Sequence, residues 1–173
     1  IEIPNNSKLQ IIGNNAFYNS SIESITIPSN VTLIGEFAFS SCCNLNSIEI
    51  ASDSKIQTIE KEAFSNTNIE SFKIPSQLTQ IKEHVFYNCQ NLQIIEIPDD
   101  SKLQMIDKEA FKDSSIESIT IPSQLTELKV GWCDGAKCLK EIEISQDNQY
   151  FKMYDKFLLR KSKIEQTNYD CLV

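Results

Sequence analysis

Several residue types and segments are scarce in this sequence, and each scarcity excludes a class of protein. Only four glycines occur in 173 residues, too few for a glycine-rich phosphate-binding loop. The one histidine, His84, gives no zinc motif, because the required cysteine and histidine spacings are absent. No apolar run reaches the roughly 18 residues that a membrane-spanning helix needs, so direct membrane insertion is not expected.

Positive charge is also in deficit, with 16 lysines and arginines against 24 acidic residues and a net charge of −8. This charge repels polyanions, so binding to nucleic acid or to an anionic membrane surface is disfavoured. Hydrophobic residues make up 40% of the chain and charged residues 23%, which indicates a folded protein rather than a disordered one.

An internal repeat dominates the chain. An apolar-x-apolar motif, usually followed by proline, recurs at alternating spacings of 24 and 23 residues, beginning at Ile1, Ile25, Ile48, Phe72, Ile95, Ile119 and Ile142. Six of the seven copies extend to the pattern L-x-x-I-x-I, as in Leu45 to Ile50. This pattern and this period are those of leucine-rich repeats. Long and short repeats alternate, which indicates duplication of a 47-residue double unit.

The repeat predicts an α/β solenoid of roughly seven turns, wound as a right-handed coil. Side chains alternate along a strand, so Ile25 and Ile27 should point inward while Thr26 points outward. One strand cannot bury its face alone, and stacking the turns about 4.8 Å apart builds a parallel sheet over a continuous core. We expect this sheet on the concave face and short helical or irregular turns, such as 60–64, on the convex face.

A second apolar pair recurs in each repeat and predicts a ladder of stacked aromatic rings inside the convex wall. The pairs are Ala16-Phe17, Ala38-Phe39, Ala63-Phe64, Val85-Phe86 and Ala110-Phe111. Cys133 stands where a sixth phenylalanine would fall.

These residues resemble the BspA-type leucine-rich repeats, whose consensus runs roughly L-x-x-I-x-x-x-A-F-x-x-C-x-x-L-x-x-I-x-I-P. The resemblance covers residues 1–144. Residues 145–173 look like a divergent terminal repeat or cap, in which a segment at 147–150, similar to the family's N-x-x-Y, would precede a hairpin at 155–159. Lys156 replaces the glycine of the family pattern. The resemblance implies a surface or secreted protein of a bacterium or parasitic protist, linked to adhesion to host proteins and to other cells.

The outward strand positions are the predicted partner-binding residues of the concave face: Thr26, Glu49, Lys73, Glu96, Thr120 and Glu143, with Glu2 before them and Glu23, Glu70 and Glu117 flanking. Two interpretations apply. The residues could form a solvated ladder that dilutes like-charge repulsion. They could also form an acidic surface for a basic protein partner, since solenoids commonly bind through this face.

The six cysteines are too sparse for a disulfide scaffold. Cys42 and Cys89 lie at equivalent positions two turns apart, about 10 Å, which is too far for a disulfide. Cys133 and Cys138 fall in the least regular turn, where a local bridge, or a bridge from either one to Cys171, stays open.

Other candidate chemistry has a plainer interpretation. A catalytic pair of His84 and Cys89 lacks an orienting group and an oxyanion site, and cysteines at this repeat position behave as small buried hydrophobes. Asp99 and Asp100 do not complete a calcium cage. The glutamates lie on an open surface, unlike the carboxylate pair of a glycosidase. No catalytic, cofactor or metal site is therefore expected. Three N-x-S/T sequons, at Asn5, Asn19 and Asn30, permit glycosylation without indicating secretion.

The sequence predicts a non-enzymatic protein-binding module of a cell-surface or secreted protein, adhering to host or matrix proteins through its acidic face. The alternative is an intracellular interaction scaffold with the same fold, and an enzyme is the third hypothesis. No signal peptide is visible, and because the chain opens inside a repeat we expect any signal, anchor or extra repeats to lie outside it. The first strand, Ile1 to Ile3, has no visible cap, which predicts either preceding repeats or end-to-end self-association.

Overall fold

In the computed structural model of the chain, the structure describes residues 1–4, 6–154, 157–161 and 169–171. The long strands that the repeat predicts are present as β2 Ser24–Ile27, β4 Ser47–Ile50, β6 Ser71–Lys73, β8 Ile94–Glu96, β10 Ser118–Ile121 and β12 Glu141–Ile144. They pair in parallel, so a parallel-strand solenoid is confirmed. It has about six turns rather than seven, because the segment Ile1–Ile3 contributes only the isolated bridge between Glu2 and Thr26.

A second line of two-residue parallel strands runs along another side of the coil and was not predicted. Its members are β1 Ile11–Ile12, β3 Leu33–Ile34, β5 Thr58–Ile59, β7 Gln80–Ile81, β9 Met105–Ile106 and β11 Glu127–Leu128. The second residue of each strand is buried. Parallel strands therefore join successive turns on two sides of the coil, except where the ladders are interrupted at its middle.

The tail departs from the solenoid pattern. Strands β13 (Phe151–Tyr154), β14 (Phe157–Lys161) and β15 (Tyr169–Cys171) form an antiparallel sheet, in which Tyr154 pairs with Phe157. The hairpin expected here is therefore present, although its turn at Asp155 and Lys156 lies outside the described residues. Asn148 joins the tail to the solenoid, because its buried side-chain amide donates to the carbonyls of Pro122 and Leu125 at 2.6 and 3.1 Å.

The predicted aromatic ladder is confirmed. Phe17, Phe39, Phe64, Phe86 and Phe111 stack with centroid distances of 5.1 to 5.8 Å and interplanar angles of 7 to 11°. Four of these rings are fully buried, and Phe17 at the first turn is half-buried. The ladder places one large apolar group per turn behind the convex wall, at the spacing of the turns themselves.

The ladder ends on a residue that the repeat alignment did not select. The Phe111 amide donates to the Trp132 carbonyl, as the Phe17 amide donates to the Ala38 carbonyl, so Trp132 occupies the alanine position of its turn. Its indole is fully buried and meets the Phe111 ring edge-on, with centroids 6.1 Å apart. Cys133, at the phenylalanine position, is only half-buried and too small to fill the column, and the larger indole fills it instead.

The convex segments are not helical, which corrects the expected helical turns: no described residue is in a helix. Each segment is a run of β-turns in which two residues take left-handed φ angles of 54 to 76°, namely Asn15, Asn19, Phe37, Ser41, Glu62, Asn66, His84, Asn88, Glu109, Asp113, Gly131 and Gly135. This conformation turns alternate amides toward the next coil. Phe39 and Ser41 donate to the carbonyls of Ala63 and Ser65 at 2.8 and 2.9 Å. A helix would consume those amides internally.

The strand pairing is interrupted once, at the middle of the coil. Among the described residues, no ladder joins β4 to β6 or β5 to β7, so the long strands form one sheet of two and another of four. Phe72 in β6 is the only aromatic residue at its strand position. Its ring packs between Phe64 and Phe86, at 5.0 and 4.9 Å. We infer that this larger side chain separates the two strands. On the convex side the turns stay joined, since the Phe64 amide donates to Val85.

The described part of the chain contains no helix with the length and apolar character needed to cross a bilayer.

The ladder predicts an unequal cost for the same truncation at two of its rungs. Phe64→Ala removes a fully buried ring with neighbours on both sides, and we expect it to lower the free energy of unfolding by about 3–5 kcal/mol. The matched control is Phe17→Ala, at a half-buried terminal rung, which should cost at least about 1 kcal/mol less. Urea unfolding followed by circular dichroism measures both values. Equal costs would contradict a continuous ladder.

Candidate functional site on the strand face

The candidate site is the outer surface of the long strands and the residue before each one, which we call the strand face. It presents three parallel rows of side chains. The flanking row is Glu23, Asn46, Glu70, Gln93, Glu117 and Lys140; the central row is Ser24, Ser47, Ser71, Ile94, Ser118 and Glu141; the outer row is Thr26, Glu49, Lys73, Glu96, Thr120 and Glu143. All six predicted partner-binding residues therefore lie in the outer row.

Register and hydrogen bonds organise the outer row in pairs. Thr26 lies opposite Glu49 and Thr120 opposite Glu143, and each threonine hydroxyl donates to the glutamate, at 3.2 and 3.4 Å respectively. Lys73 lies opposite Glu96 in the remaining pair. The glutamates and Lys73 are exposed and the threonines half-buried. The gap between β4 and β6 separates the first pair from the other four residues.

The carboxylates of the strand face follow a zigzag. The first five long strands each carry one, and it alternates between the flanking row, as at Glu23 and Glu70, and the outer row, as at Glu49 and Glu96. Carboxylates of one row are thus two rungs apart, about 10 Å, which approaches the screening length in physiological salt. Repulsion between them is weak, and the charge stays spread over the whole face.

Few cations offset this charge. Lys140 pairs with Glu117 at 3.1 Å, whereas Lys73 has no carboxylate of the described residues within 4 Å. The strand face therefore presents a largely uncompensated negative surface.

An exposed aliphatic side chain interrupts the serine row. Ile94 is 54% exposed at a position where its neighbours Ser71 and Ser118 are serines. Sequence reasoning did not select Ile94, although an apolar residue in a column of serines was a visible signal. It adds an apolar contact point to an otherwise polar surface.

Two adjoining depressions open where β4 and β6 separate. They share Ile50, Ala51, Ser52 and Lys73 in their walls. The smaller has a volume of about 110 Å³, below the roughly 300 Å³ at which small-molecule pockets begin. The larger, about 680 Å³, is a shallow surface depression that extends to Thr26 and Ser29. The smaller depression suits a single side chain of a partner protein.

On the opposite wall, His84 contacts three glutamates rather than Cys89. Its Nε2 lies 2.6 Å from Glu109 Oε2, and its Nδ1 lies 3.8 and 3.9 Å from Glu62 and Glu83. Cys89 lies inside the wall, where its thiol donates to the Phe64 carbonyl at 3.1 Å. Burial raises the pKa of this thiol to about 11, which makes it a poor nucleophile.

Lysines complete an ion-pair network over three turns of the convex wall, with Lys61–Glu83, Lys82–Glu60, Lys108–Glu83 and Lys112–Glu109 contacts of 2.7 to 3.5 Å. The hydrogen bond from Lys108 lowers the pKa of Glu83, and that from His84 lowers the pKa of Glu109. Two of these pairs, Lys82–Glu60 and Lys61–Glu83, bridge the turns whose strands are unpaired.

The remaining sequence candidates fall outside any cluster. Cys42, Cys43, Cys89, Cys133 and Cys138 are free thiols; the side chain of Cys171 lies outside the described residues. Within the described ranges, no group of three or more histidine, cysteine or acidic side chains could hold a metal ion. Asn19 is exposed, whereas the Asn30 amide donates to the Ser7 carbonyl at 3.0 Å; Asn5 is outside the described residues.

A stack of short parallel strands at this period, with an open strand face, defines a leucine-rich-repeat solenoid, a class whose members are typically binding modules and not enzymes. The family model described as the BspA type leucine-rich repeat region matches residues 1–92 and 57–171, with six copies. The chain therefore belongs to the BspA-type leucine-rich repeat family.

Solved structures of bacterial proteins share the fold. A leucine-rich cell surface protein of Faecalibacterium prausnitzii is 22% identical, with a TM-score of 0.70 over 99% of this chain and 53% of its own. The pneumococcal vaccine antigen PcpA is 25% identical, with a TM-score of 0.82 over 92% and 44%. A leucine-rich repeat protein of Bacteroides ovatus is 23% identical, with a TM-score of 0.55 over 85% and 46%. The chain thus spans about half the length of these structures. No curated protein matches the sequence.

The convex network predicts an acid-dependent loss of stability. Because Glu83 and Glu109 have lowered pKa values when folded, their ion pairs contribute stability above the ordinary carboxyl value of 4.5, and the contribution is lost as the pH falls through the folded values. The double variant Glu83→Gln/Glu109→Gln should therefore melt below the wild type at pH 7. The gap should close as the pH falls below the lowered pKa values of these two carboxyls in the folded protein. Glu36→Gln, on the same wall, is the control. A gap that persists in acid would refute the assignment.

Proposed function

We propose that this chain is a non-enzymatic protein-binding module of a cell-surface or secreted protein, and that its strand face docks a basic region of a partner protein in adhesion. The observation that carries the proposal is the zigzag of carboxylates along an open sheet face. Its regular spacing offers successive contacts to lysine or arginine side chains along the whole solenoid. Thr26, Glu49, Lys73, Glu96, Thr120 and Glu143 are the proposed contact residues.

Charge and shape both favour a protein partner. The face is broad and open, so it suits a macromolecular surface better than a small molecule. Its acidity attracts a basic protein and repels nucleic acid. Ile94 supplies the exposed apolar contact that a protein interface needs near its centre.

The surface location rests on the family and its structural relatives. One solved relative is described as a cell surface protein and another as a vaccine antigen. We extend that location to this chain as part of the proposal, with host or matrix proteins as the adhesion partners. An intracellular interaction scaffold built on the same strand face is the alternative that a localisation experiment must separate from it.

Two structural roles complete the proposal. Residues 145–173 would act as a terminal cap after the repeats of 1–144, supported by buried Phe151 and by the Asn148 contacts to the last full turn. At the first turn, Ile1 and Ile11 are 53% and 55% exposed. This apolar end supports end-to-end association with another repeat unit or a second copy.

Neutralising the strand face should weaken binding of a basic probe. We expect the triple variant Glu49→Gln/Glu96→Gln/Glu143→Gln to bind a fluorescein-labelled oligolysine peptide about tenfold more weakly than the wild type. The matched control, Glu36→Gln/Asp113→Asn/Asp134→Asn, removes the same charge from the convex wall and should change affinity little. Fluorescence anisotropy at low salt measures both. Equal losses in the two triples would show that net charge alone drives binding.

Surface exposure in native cells is a separate expectation. Intact cells treated with a membrane-impermeant amine reagent should yield labelled protein, because the strand face presents Lys73 and Lys140 to solvent. Detection by immunoprecipitation and mass spectrometry checks this, with a cytosolic protein as the negative control. Labelling only after permeabilisation would remove the adhesion proposal and favour the intracellular scaffold.

A further inference from the structure

The strand face is not uniform, and among the described long strands the gap between β4 and β6 is the one place where no ladder joins neighbours. On β2 and β10 both inward isoleucines are buried, whereas on β12, which pairs on one side only, Ile142 and Ile144 are half-buried. On β4, which also pairs on one side only, Ile48 and Ile50 are half-buried. The lost pairing with β6 uncovers these two side chains in the middle of the coil. A strip of aliphatic surface therefore lies open beside the acidic outer row.

Ala51 deepens this opening. Five of the seven repeat motifs place proline directly after the strand, and the exceptions are Ala51 and Ser145. The smaller alanine, together with the separation of the strands, leaves the depression whose floor is Ile50, Ala51 and Ile74. At Ser145 the strand before the turn keeps its neighbour, since β12 pairs with β10 over four residues.

The walls of the slot are mainly acidic. Glu49 and Asp53 line the larger depression and Asp100 lines the smaller one, while the single ammonium group of Lys73 borders both. An aliphatic floor with a carboxylate rim matches a side chain with an apolar stem and a cationic head. Arginine fits this description best, because its guanidinium can bond two carboxylates at once while its methylenes cover isoleucine.

We propose that the slot between β4 and β6, formed by Ile48 to Asp53 and Lys73 to Ser76, is the anchor point of the strand face and takes an arginine side chain of the partner protein. The proposal rests on the proposed function and makes it specific: the zigzag of carboxylates attracts a basic partner, and the slot fixes where along the six turns that partner sits. A repeating surface without such a point would allow the partner to slide by one double unit.

The solenoid supplies its own matched controls. Glu49 and Glu143 lie in the same row, and each accepts a hydrogen bond from the threonine opposite, but only Glu49 lies beside the slot. Ala51 and Ser145 are equivalent half-buried positions, and each backbone amide donates to the strand before it, at 3.4 and 2.9 Å. Charge and shape can therefore be changed separately, at the slot and away from it.

The test is a nuclear magnetic resonance titration of the full chain with a short glycine-serine peptide that contains one arginine, and with the same peptide carrying citrulline. We expect the arginine peptide to shift amide resonances of residues 47–53 and 73–76, and the citrulline peptide to shift them less. Glu49→Gln should lower the affinity about fivefold, and Glu143→Gln less than about twofold. Ala51→Phe, which fills the slot without changing charge, should also lower it, and Ser145→Phe should not.

Other outcomes would refute the arginine slot. They would not decide the proposed function, which the oligolysine experiment tests. Equal effects of Glu49→Gln and Glu143→Gln, with shifts spread over all six strands, would mean docking by charge along the whole face. A peptide with glutamate in place of arginine that binds more tightly would reassign the slot to Lys73. Absence of shifts with the arginine peptide would remove the anchor, while oligolysine binding would still decide whether the strand face is a basic-protein site. If Ala51→Phe fails to fold, the Glu49 and Glu143 comparison is sufficient.

Discussion

Backbone hydrogen bonding between successive turns is the constraint on which this structure depends. Each coil is only as stable as its pairing with the next, and the chain achieves that pairing on three sides, through long strands, short strands and the left-handed β-turns of the convex wall. Non-glycine residues occupy ten of the twelve left-handed positions, at a cost of about 1–2 kcal/mol each. The hydrogen bonds that these amides donate to the neighbouring turn offset that cost. One buried ring per turn fills the space behind the amides.

The interruption between β4 and β6 shows how a repeat acquires an individual site. Phe72 occupies a strand position that other turns fill with isoleucine, and its ring joins the aromatic column instead of lying under the sheet. The two halves of the solenoid stay joined through the aromatic column, the convex backbone and the Lys82–Glu60 ion pair, although β4 and β6 do not pair. We infer that this local change in side-chain size opens the one break between the ladders of the described long strands.

Several features followed directly from the repeat period. Strand positions, the inward residues, the aromatic ladder and the outward row of Thr26, Glu49, Lys73, Glu96, Thr120 and Glu143 are consequences of alternation along a strand and stacking at one spacing. The prediction of helical convex turns was wrong. Segments such as 60–64 have helical propensity, but their backbone amides donate to carbonyls of the next turn instead of closing a helix. The repeat pattern did not identify Trp132 as the last member of the aromatic ladder. The available volume, and not the position in the repeat, determines which residue fills the ladder there.

The sequence by itself determined the period, the family, the parallel solenoid and the acidic character of the strand face, because these depend on patterns repeated along the chain. Only the tertiary structure decided where β4 and β6 separate, that Ile48 and Ile50 are half-buried, and that His84 contacts Glu109 on the next turn. Those features arise from contacts between residues about 25 positions apart. Packing between two stacked turns determines which of them shifts to make room for a larger side chain.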